Sequence, residues 1–235
     1  QALEHAFNYS RNQRLIAEEF IDNKRGDVHG DGFVIDGELV FICLGDHLYN
    51  VNTNPLNPTG TVWPSQVDHE YLSMIECDVG KVIRQVGFKQ GAINIEARIN
   101  SKGDPYIMEI GPRSGGHFVP QAICSATGFD MVQATLNVLE DNTLSISSRG
   151  VSCTAYYAIH SDTEGTLRGV VICDELKENI KEFHLYTKIG SKVSAYTGAN
   201  AVIGIVILSF ENQKQSEVIM KGISKYITVH VDENK

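Results

Sequence analysis

Residues 91–113 read GAINIEARINSKGDPYIMEIGPR, two alternating apolar runs around a Lys-Gly turn. With Lys102-Gly103 as the turn, Ser101 pairs with Asp104. Counting outward then sets Ile99 opposite Tyr106, Ala97 opposite Met108 and Ile95 opposite Ile110. These apolar residues share one face, because side chains alternate along a strand. The other face carries Glu96 directly opposite Glu109, with Asn94 opposite Gly111 beyond them. Like charges directly opposite destabilise a strand pair. A shared proton, flanking arginines (Arg98 and Arg113 are near in sequence) or a bound cation would relieve the repulsion. The plain alternative is an exposed face on which water screens the charges.

For a cation, two carboxylates suit a hard ion such as Mg2+ (or Mn2+), usually held by one or two carboxylates plus substrate phosphates. A transition metal would want histidine or cysteine nearby. A glycosidase-like carboxylate pair fits less well, since side chains directly opposite sit too close for two separate acid and base roles.

The rest of the chain has ordinary globular composition: 235 residues, 42% hydrophobic and 21% charged, enough to build a sizeable core without disulfides. A net charge of −9 with no basic cluster argues against nucleic acid or an anionic membrane as partner. No apolar run reaches transmembrane length and no signal-peptide pattern is present. The five cysteines are an odd number, widely spaced and without a C-x-x-C, which reads as reduced thiols in a cytoplasmic protein. The chain opens inside a helical pattern at Ala2, Leu3, Ala6 and Phe7, so the sequence reads as a piece of a longer protein.

Along the chain, RLIAEEFI (Arg14–Ile21) reads as a strand, followed by a polar stretch and a strand Phe33–Ile35. Asp36-Gly37 is a two-residue hairpin signal, returning as Glu38–Leu44. Asp46–Gln66 reads as a long loop, functional or mobile by its length. Asp68 caps a helix with Met74, Ile75, Val79, Val82, Ile83 and Val86 on one face, ended by Gly87. Two helices follow the hairpin, Pro120–Thr127 and Met131–Leu139, the second capped by Asp130. The stretch Asp141–Gly150 is a composition shift and the expected subdomain boundary. Beyond it strands are expected at Ser152–Ile159, Gly169–Cys173, Glu182–Leu185, Lys192–Tyr196, Ala201–Ser209 and Ile227–Val231, with one helix at Gln215–Tyr226. The division is thus 1–145 and 146–235.

The run EARINSKGDPYIMEIGPRSGG resembles the metal-binding hairpin of ATP-grasp ligases: an acid on one strand, then a glutamate and an arginine on the next. IAEEFI resembles that family's hinge strand, and GDVHGDGFVIDGELV the strand pair after it; the likeness covers about Ala2–Leu139. It implies an α+β fold: the C-terminal half of an ATP-grasp domain, an antiparallel sheet with packed helices, followed by a small β-rich subdomain. It further implies Glu96 and Glu109 as magnesium ligands and Arg113 as the arginine that steadies phosphate or an acyl-phosphate. Glu18, Glu19, Phe20 and Ile21 would read the adenine edge of ATP, and Asp27 would contact the ribose. His29 and Asp31 have no assigned role. The family's usual asparagine two positions after the second glutamate is Gly111 here, so water or Asn94 would have to supply the third oxygen.

The implied activity is ATP-dependent joining of a small carboxylate to an amine or thiol through an acyl-phosphate, in a cytoplasmic enzyme whose oligomeric state, a homodimer included, is open. The family's phosphate-covering lysines and N-terminal substrate domain are expected before Gln1, so this segment alone is expected to be inactive. Ser114, Gly115, Gly116 and His117, before a helix, offer backbone N–H groups to a substrate carboxylate, or form a plain tight turn. The remaining histidines, His47 among them, read as structural or solvent-facing. The competing readings are a non-catalytic ATP-grasp-like nucleotide-binding or assembly module, and a structural domain whose acidic hairpin is only surface.

Overall fold

A strand with both faces buried decides the architecture. Gly26–Ile35 (β1) is buried along nearly its whole length, polar residues included. In the computed structural model, which describes residues 2–50, 54–140 and 150–233, it runs in the middle of an eight-stranded antiparallel sheet. On one side lie Gly91–Ile99 (β4) and then Pro105–Gly111 (β5) at the edge. On the other come Glu38–Asn50 (β2), Asn54–Trp63 (β3), Thr154–Ile159 (β6), Gly204–Ser209 (β10) and Ile180–Leu185 (β8). A second sheet has Ile227–Asp232 (β11), Gly165–Ile172 (β7) and Lys192–Val193 (β9).

Odd and even positions of β1 feed different cores. Val28 and Val34 join Ile93, Ile95 and Ile99 of β4 beneath the helix His69–Val86 (α2), which buries Ile75, Val79 and Ile83. Phe33 faces the opposite way, into a core with Trp63, Tyr156 and Ile207 under Val119–Thr127 (α3) and Met131–Leu139 (α4). A third core lies between the outer strands of the large sheet, the second sheet, and the helices Asp174–Lys177 (α5), Gln213–Lys221 (α6) and Ile223–Tyr226 (α7), while the helix Ala2–Tyr9 (α1) buries no residue. The crowding of β1 explains Gly30: a Cβ there would lie 1.9 Å from the Cys43 carbonyl oxygen.

The expected α+β class and antiparallel sheet are borne out. Asp36-Gly37 turns the β1–β2 hairpin with φ of 51° and 83°, both left-handed as a type I′ turn requires. Gly87 ends α2 in the left-handed region, and the Asp130 carboxylate accepts from the Val132 and Gln133 amides. Asp68 precedes α2, but its side chain makes no capping hydrogen bond. Met74 and Val86, expected on the inner face of α2, are exposed.

Five expectations need correction. Arg14–Ile21 is not a strand: no described strand lies beside it to take its hydrogen bonds, and Ile16 and Phe20 are 86% and 80% exposed. The loop expected over Asp46–Gln66 is mostly strand where it is described: Asp46–Asn50 lies in β2 and Asn54–Trp63 is β3, paired with it, with Pro58 at a register shift, where a missing N–H is tolerated. The expected helix Gln215–Tyr226 breaks at Gly222 into α6 and α7, and the strand at Lys192 stops at Val193.

The last correction is in the hairpin itself. The Asn100 side-chain oxygen accepts from the Lys102 and Asp104 amides, both at 2.9 Å, making a turn longer than Lys-Gly. The lower pairs are therefore Ala97 with Ile107 and Arg98 with Tyr106. A bulge at Met108 then absorbs the extra residue and restores Ile95 opposite Ile110, Glu96 opposite Glu109 and Asn94 opposite Gly111. Tyr106 and Met108 are 39% and 44% exposed instead of joining the inner face. The composition shift at 141–150 lies, Gly150 apart, outside the described residues.

Candidate functional site

The alternation that buries Ile93, Ile95, Ala97 and Ile99 under α2 turns Asn94, Glu96 and Arg98 to the other face. The β1–β4 register sets three polar pairs there: Asp27 with Arg98, His29 with Glu96, and Asp31 with Asn94. The β4–β5 register continues two of these rows, Glu96 to Glu109 and Asn94 to Gly111. Sequence reasoning thus brought Glu96 and Glu109 together correctly but missed the rows behind them.

The Asp31–Asn94 row is a buried support. Asp31 accepts from the Gly115 amide with both carboxylate oxygens, at 3.0 and 2.9 Å, and from Asn94 Nδ2 at 2.8 Å. Burial nevertheless raises its pKa to about 6. Asn94 Nδ2 also lies 3.0 Å from His29 Nε2, while Asn94 Oδ1 accepts from Arg113 Nη1 at 3.0 Å. Asn94 Oδ1 is thus already one acceptor for Arg113, beside the position where Gly111 offers no side-chain oxygen. A Cβ at Gly115 would come within 2.8 Å of Val119 and 3.0 Å of Asn94 Nδ2, so the turn after Arg113 sits tight on this support.

Above it lies a cavity of about 270 Å³. Of the expected site residues, Glu96, Arg113, Gly116 and His117 line it. His29, His47, Asn94, Tyr156 and Tyr196 line it too and were not assigned to it from sequence. The rings of His29 and His47 stack at 4.7 Å, with Thr61 Oγ1 3.2 and 3.3 Å from their Nδ1 atoms. Burial lowers the His29 pKa to about 3 and the His47 pKa to about 4, so both are neutral imidazoles. The one signal in the sequence was His29 standing two before Asp31 on an alternating strand. His47 and Tyr156 come from strands whose neighbours only the tertiary pairing sets.

Around Glu96, burial first and the Glu109 charge second push the carboxyl above its ordinary value, with the Arg98 and Arg113 charges opposing. Arg113 Nη2 is 3.9 Å from Glu109 Oε1, too long for a hydrogen bond. The repulsion is thus only partly relieved within the chain. Among the described residues no group of three or more His, Cys, Asp or Glu could hold a metal ion. Two adjacent carboxylates fit a hard cation that completes its shell with water and phosphate oxygens.

The other expected residues, Glu18, Glu19, Phe20, Ile21, Asp27, Glu109, Ser114 and Gly115, are not in the cavity lining. Asp27 Oδ2 accepts from Tyr49 Oη at 2.8 Å, Asn23 Nδ2 at 2.7 Å and Arg98 Nε at 3.3 Å. Glu18, Glu19 and Phe20 are exposed in the irregular segment, which Arg98 ties down by donating to the Ile21 carbonyl at 3.2 Å. Ser114 accepts from Arg113 Nη1 through its carbonyl, at 3.0 Å. His117 and Phe118 take left-handed φ of 53° and 61° just before α3, and Phe118 stacks on His184 at 4.1 Å.

This sheet, with helices on both faces, is the ATP-grasp fold. Three solved proteins share it with this chain. Phosphoribosylglycinamide synthetase from Anaerococcus prevotii is 17% identical, with a TM-score of 0.78 over 97% of this chain and 58% of its own. L-amino acid ligase from Bacillus licheniformis is 21% identical, also with a TM-score of 0.78, over 92% of this chain and 53% of its own. The biotin carboxylase domain of the Hydrogenobacter thermophilus 2-oxoglutarate carboxylase is 16% identical, with a TM-score of 0.73 over 100% of this chain and 52% of its own. The chain thus spans just over half the length of these structures. No family model matches the chain, and no curated protein matches it. No helix among the described residues is long and apolar enough to cross a membrane.

Proposed function

We propose that the chain is the nucleotide- and metal-binding part of a cytoplasmic ATP-dependent ligase that joins a small carboxylate to an amine or thiol through an acyl-phosphate. The observation that carries this is the facing pair Glu96–Glu109 beside Arg113 at a small cavity, on an ATP-grasp sheet. The 2-oxoglutarate carboxylase domain was solved as a dimer with magnesium ADP and bicarbonate, which supports a metal–nucleotide reading and keeps a homodimer in view. Residues 1–145 would form the nucleotide and metal part and 146–235 the C-terminal β-rich subdomain.

In this reading Glu96 and Glu109 hold Mg2+ (or Mn2+), which when bound neutralises charge on the phosphates of ATP. Their mutual repulsion, costly in the free chain, becomes affinity for a cation. Arg113 donates to the oxygens of the transferred phosphoryl group, held to its position by Asn94. The acid's carboxylate oxygen attacks the γ-phosphorus, ADP leaves, and the amine or thiol then displaces phosphate from the acyl carbon. Of the run Ser114–His117, Gly116 and His117 line the cavity and would bind the acid through backbone N–H groups, the Gly115 N–H being held by Asp31. Glu18, Glu19, Phe20 and Ile21 meet the adenine edge and Asp27 the ribose.

Calorimetry with Mg2+ and ATP on the chain, against Glu109→Ala, tests the reading: binding is expected in the first and loss of most of the heat in the second. Equal heats would remove the metal assignment. The two-carboxylate site without a third protein oxygen favours a second reading, a nucleotide-binding module without catalysis. ATP turnover by the full-length protein that depends on added acid and amine separates the two.

A further inference from the structure

We propose that Asn94 is the positioning residue of Arg113, holding its guanidinium over the cavity from a buried support shared with the Gly115 turn. The proposal rests on the role given to Arg113 above and adds a residue that does not itself touch substrate.

Arg113 is solvent-exposed, with a side-chain exposure of 55%, and its carboxylate neighbour Glu109 is 3.9 Å away. A long side chain in that setting would sample several rotamers, at a cost of up to about 2 kcal/mol to order. The contacts that restrain it are the 3.0 Å bonds from Nη1 to Asn94 Oδ1 and to the Ser114 carbonyl. The second is local and moves with the turn. The first reaches into the sheet, where Asn94 is only 5% exposed.

The amide can face only one way. Arginine has donors alone, so Asn94 must present its oxygen to Arg113 and its NH2 inward. Inward, Nδ2 lies 2.8 Å from Asp31 Oδ1, 3.0 Å from the Gly30 carbonyl and 3.0 Å from His29 Nε2, all able to accept. Asp31 in turn grips the Gly115 amide. The head of Arg113 and the backbone that follows it are therefore held from one buried support, Asn94 gripping the first and Asp31 the second. Positional errors of about 1 Å at such a group cost about 100-fold in rate in other enzymes.

The first measurement needs no ligand. In the wild-type chain the Arg113 Nε–H order parameter is expected to exceed that of Arg84, which pairs with exposed Glu38. In Asn94→Ala it is expected to fall to the Arg84 level while the Gly115 amide stays protected. If Asn94→Ala fails to fold, Asn94→Ser, which keeps a small polar group beside Asp31 without adding a charge but withdraws the oxygen from Arg113, is expected to release the guanidinium to the Arg84 level. An Arg113 as mobile as Arg84 in wild type, or unchanged in Asn94→Ala, overturns the proposal.

The second compares binding of Mg2+ with a non-hydrolysable ATP analogue and Mg2+ with ADP, in the full-length protein. Arg113→Ala and Asn94→Ala are each expected to erase the preference for the γ-phosphate, about tenfold. The double variant is expected to be no worse than either; additive losses overturn the proposal. If wild type binds neither nucleotide, the proposed function fails, while the order parameters still decide the role of Asn94.

Discussion

Acid should weaken this protein through His29, by an amount the structure sets. The ring is buried, and burial above all lowers its pKa from 6.5 to about 3. A base whose pKa is depressed by folding contributes stability above its unfolded pKa and loses it as the pH falls toward the folded value. Between about pH 7.5 and about pH 5 the unfolded chain takes up a proton at His29 and the folded chain does not. That is about 1.5 pH units below 6.5, or about 2 kcal/mol at 1.36 kcal/mol per unit.

His47, lowered to about 4, adds to the same slope. Asp31, raised to about 6 from 3.8, works the other way, its folded form gaining stability as the pH falls through 6. The comparison that isolates His29 is with His29→Gln, which cannot titrate. Urea unfolding, followed by the fluorescence of buried Trp63, should show the wild type losing about 2 kcal/mol more than the variant between the two pH values. Parallel losses in the two proteins would mean that the folded chain protonates His29, and the argument from burial would be wrong.

Glu109→Gln should raise the stability of the ligand-free chain by about 0.2–1 kcal/mol, because it removes a like-charge pair, while weakening Mg-dependent nucleotide binding; thermal melts with and without Mg2+ and ATP read both effects, and a loss in the free chain would contradict the repulsion. Gly30→Ala should destabilise by about 3 kcal/mol, the upper end of overpacking costs, in the same urea assay, since its Cβ would meet the Cys43 carbonyl at 1.9 Å inside the β1–β2 pair. Asp130→Ala removes the acceptor for the Val132 and Gln133 amides and should cost about 1 kcal/mol, measured as a shift in the urea midpoint at constant slope.

How much of this was legible beforehand follows from the range of each interaction. The Asp36-Gly37 turn, the Gly87 stop and the Asp130 cap depend on residues a few positions apart, and all three stand as read. The strand expected at Arg14–Ile21 failed because a strand's hydrogen bonds belong to its neighbour, and alternation alone cannot supply one. The supposed loop at Asp46–Gln66 failed for the converse reason. Asn and Pro look like loop residues until β2 pairs with the stretch that holds them and β6 with its far end, Gly60–Trp63, and the register shift at Pro58 absorbs the misfit.

The site divides in the same way. By itself the sequence determined that Glu96 and Glu109 share a face, since alternation and a nearby turn suffice. Even there the count held only because the Asn100 turn and the Met108 bulge offset each other. Only the tertiary structure decided what stands behind that pair. Asp31 and His29 meet Asn94 and Glu96 through the register of strands more than sixty residues apart, and His47 and Tyr156 join the same cavity from other strands. The physical reason is that local chemistry sets the alternation of a strand, whereas the partner and register of a distant strand are chosen by burying the whole sheet at once.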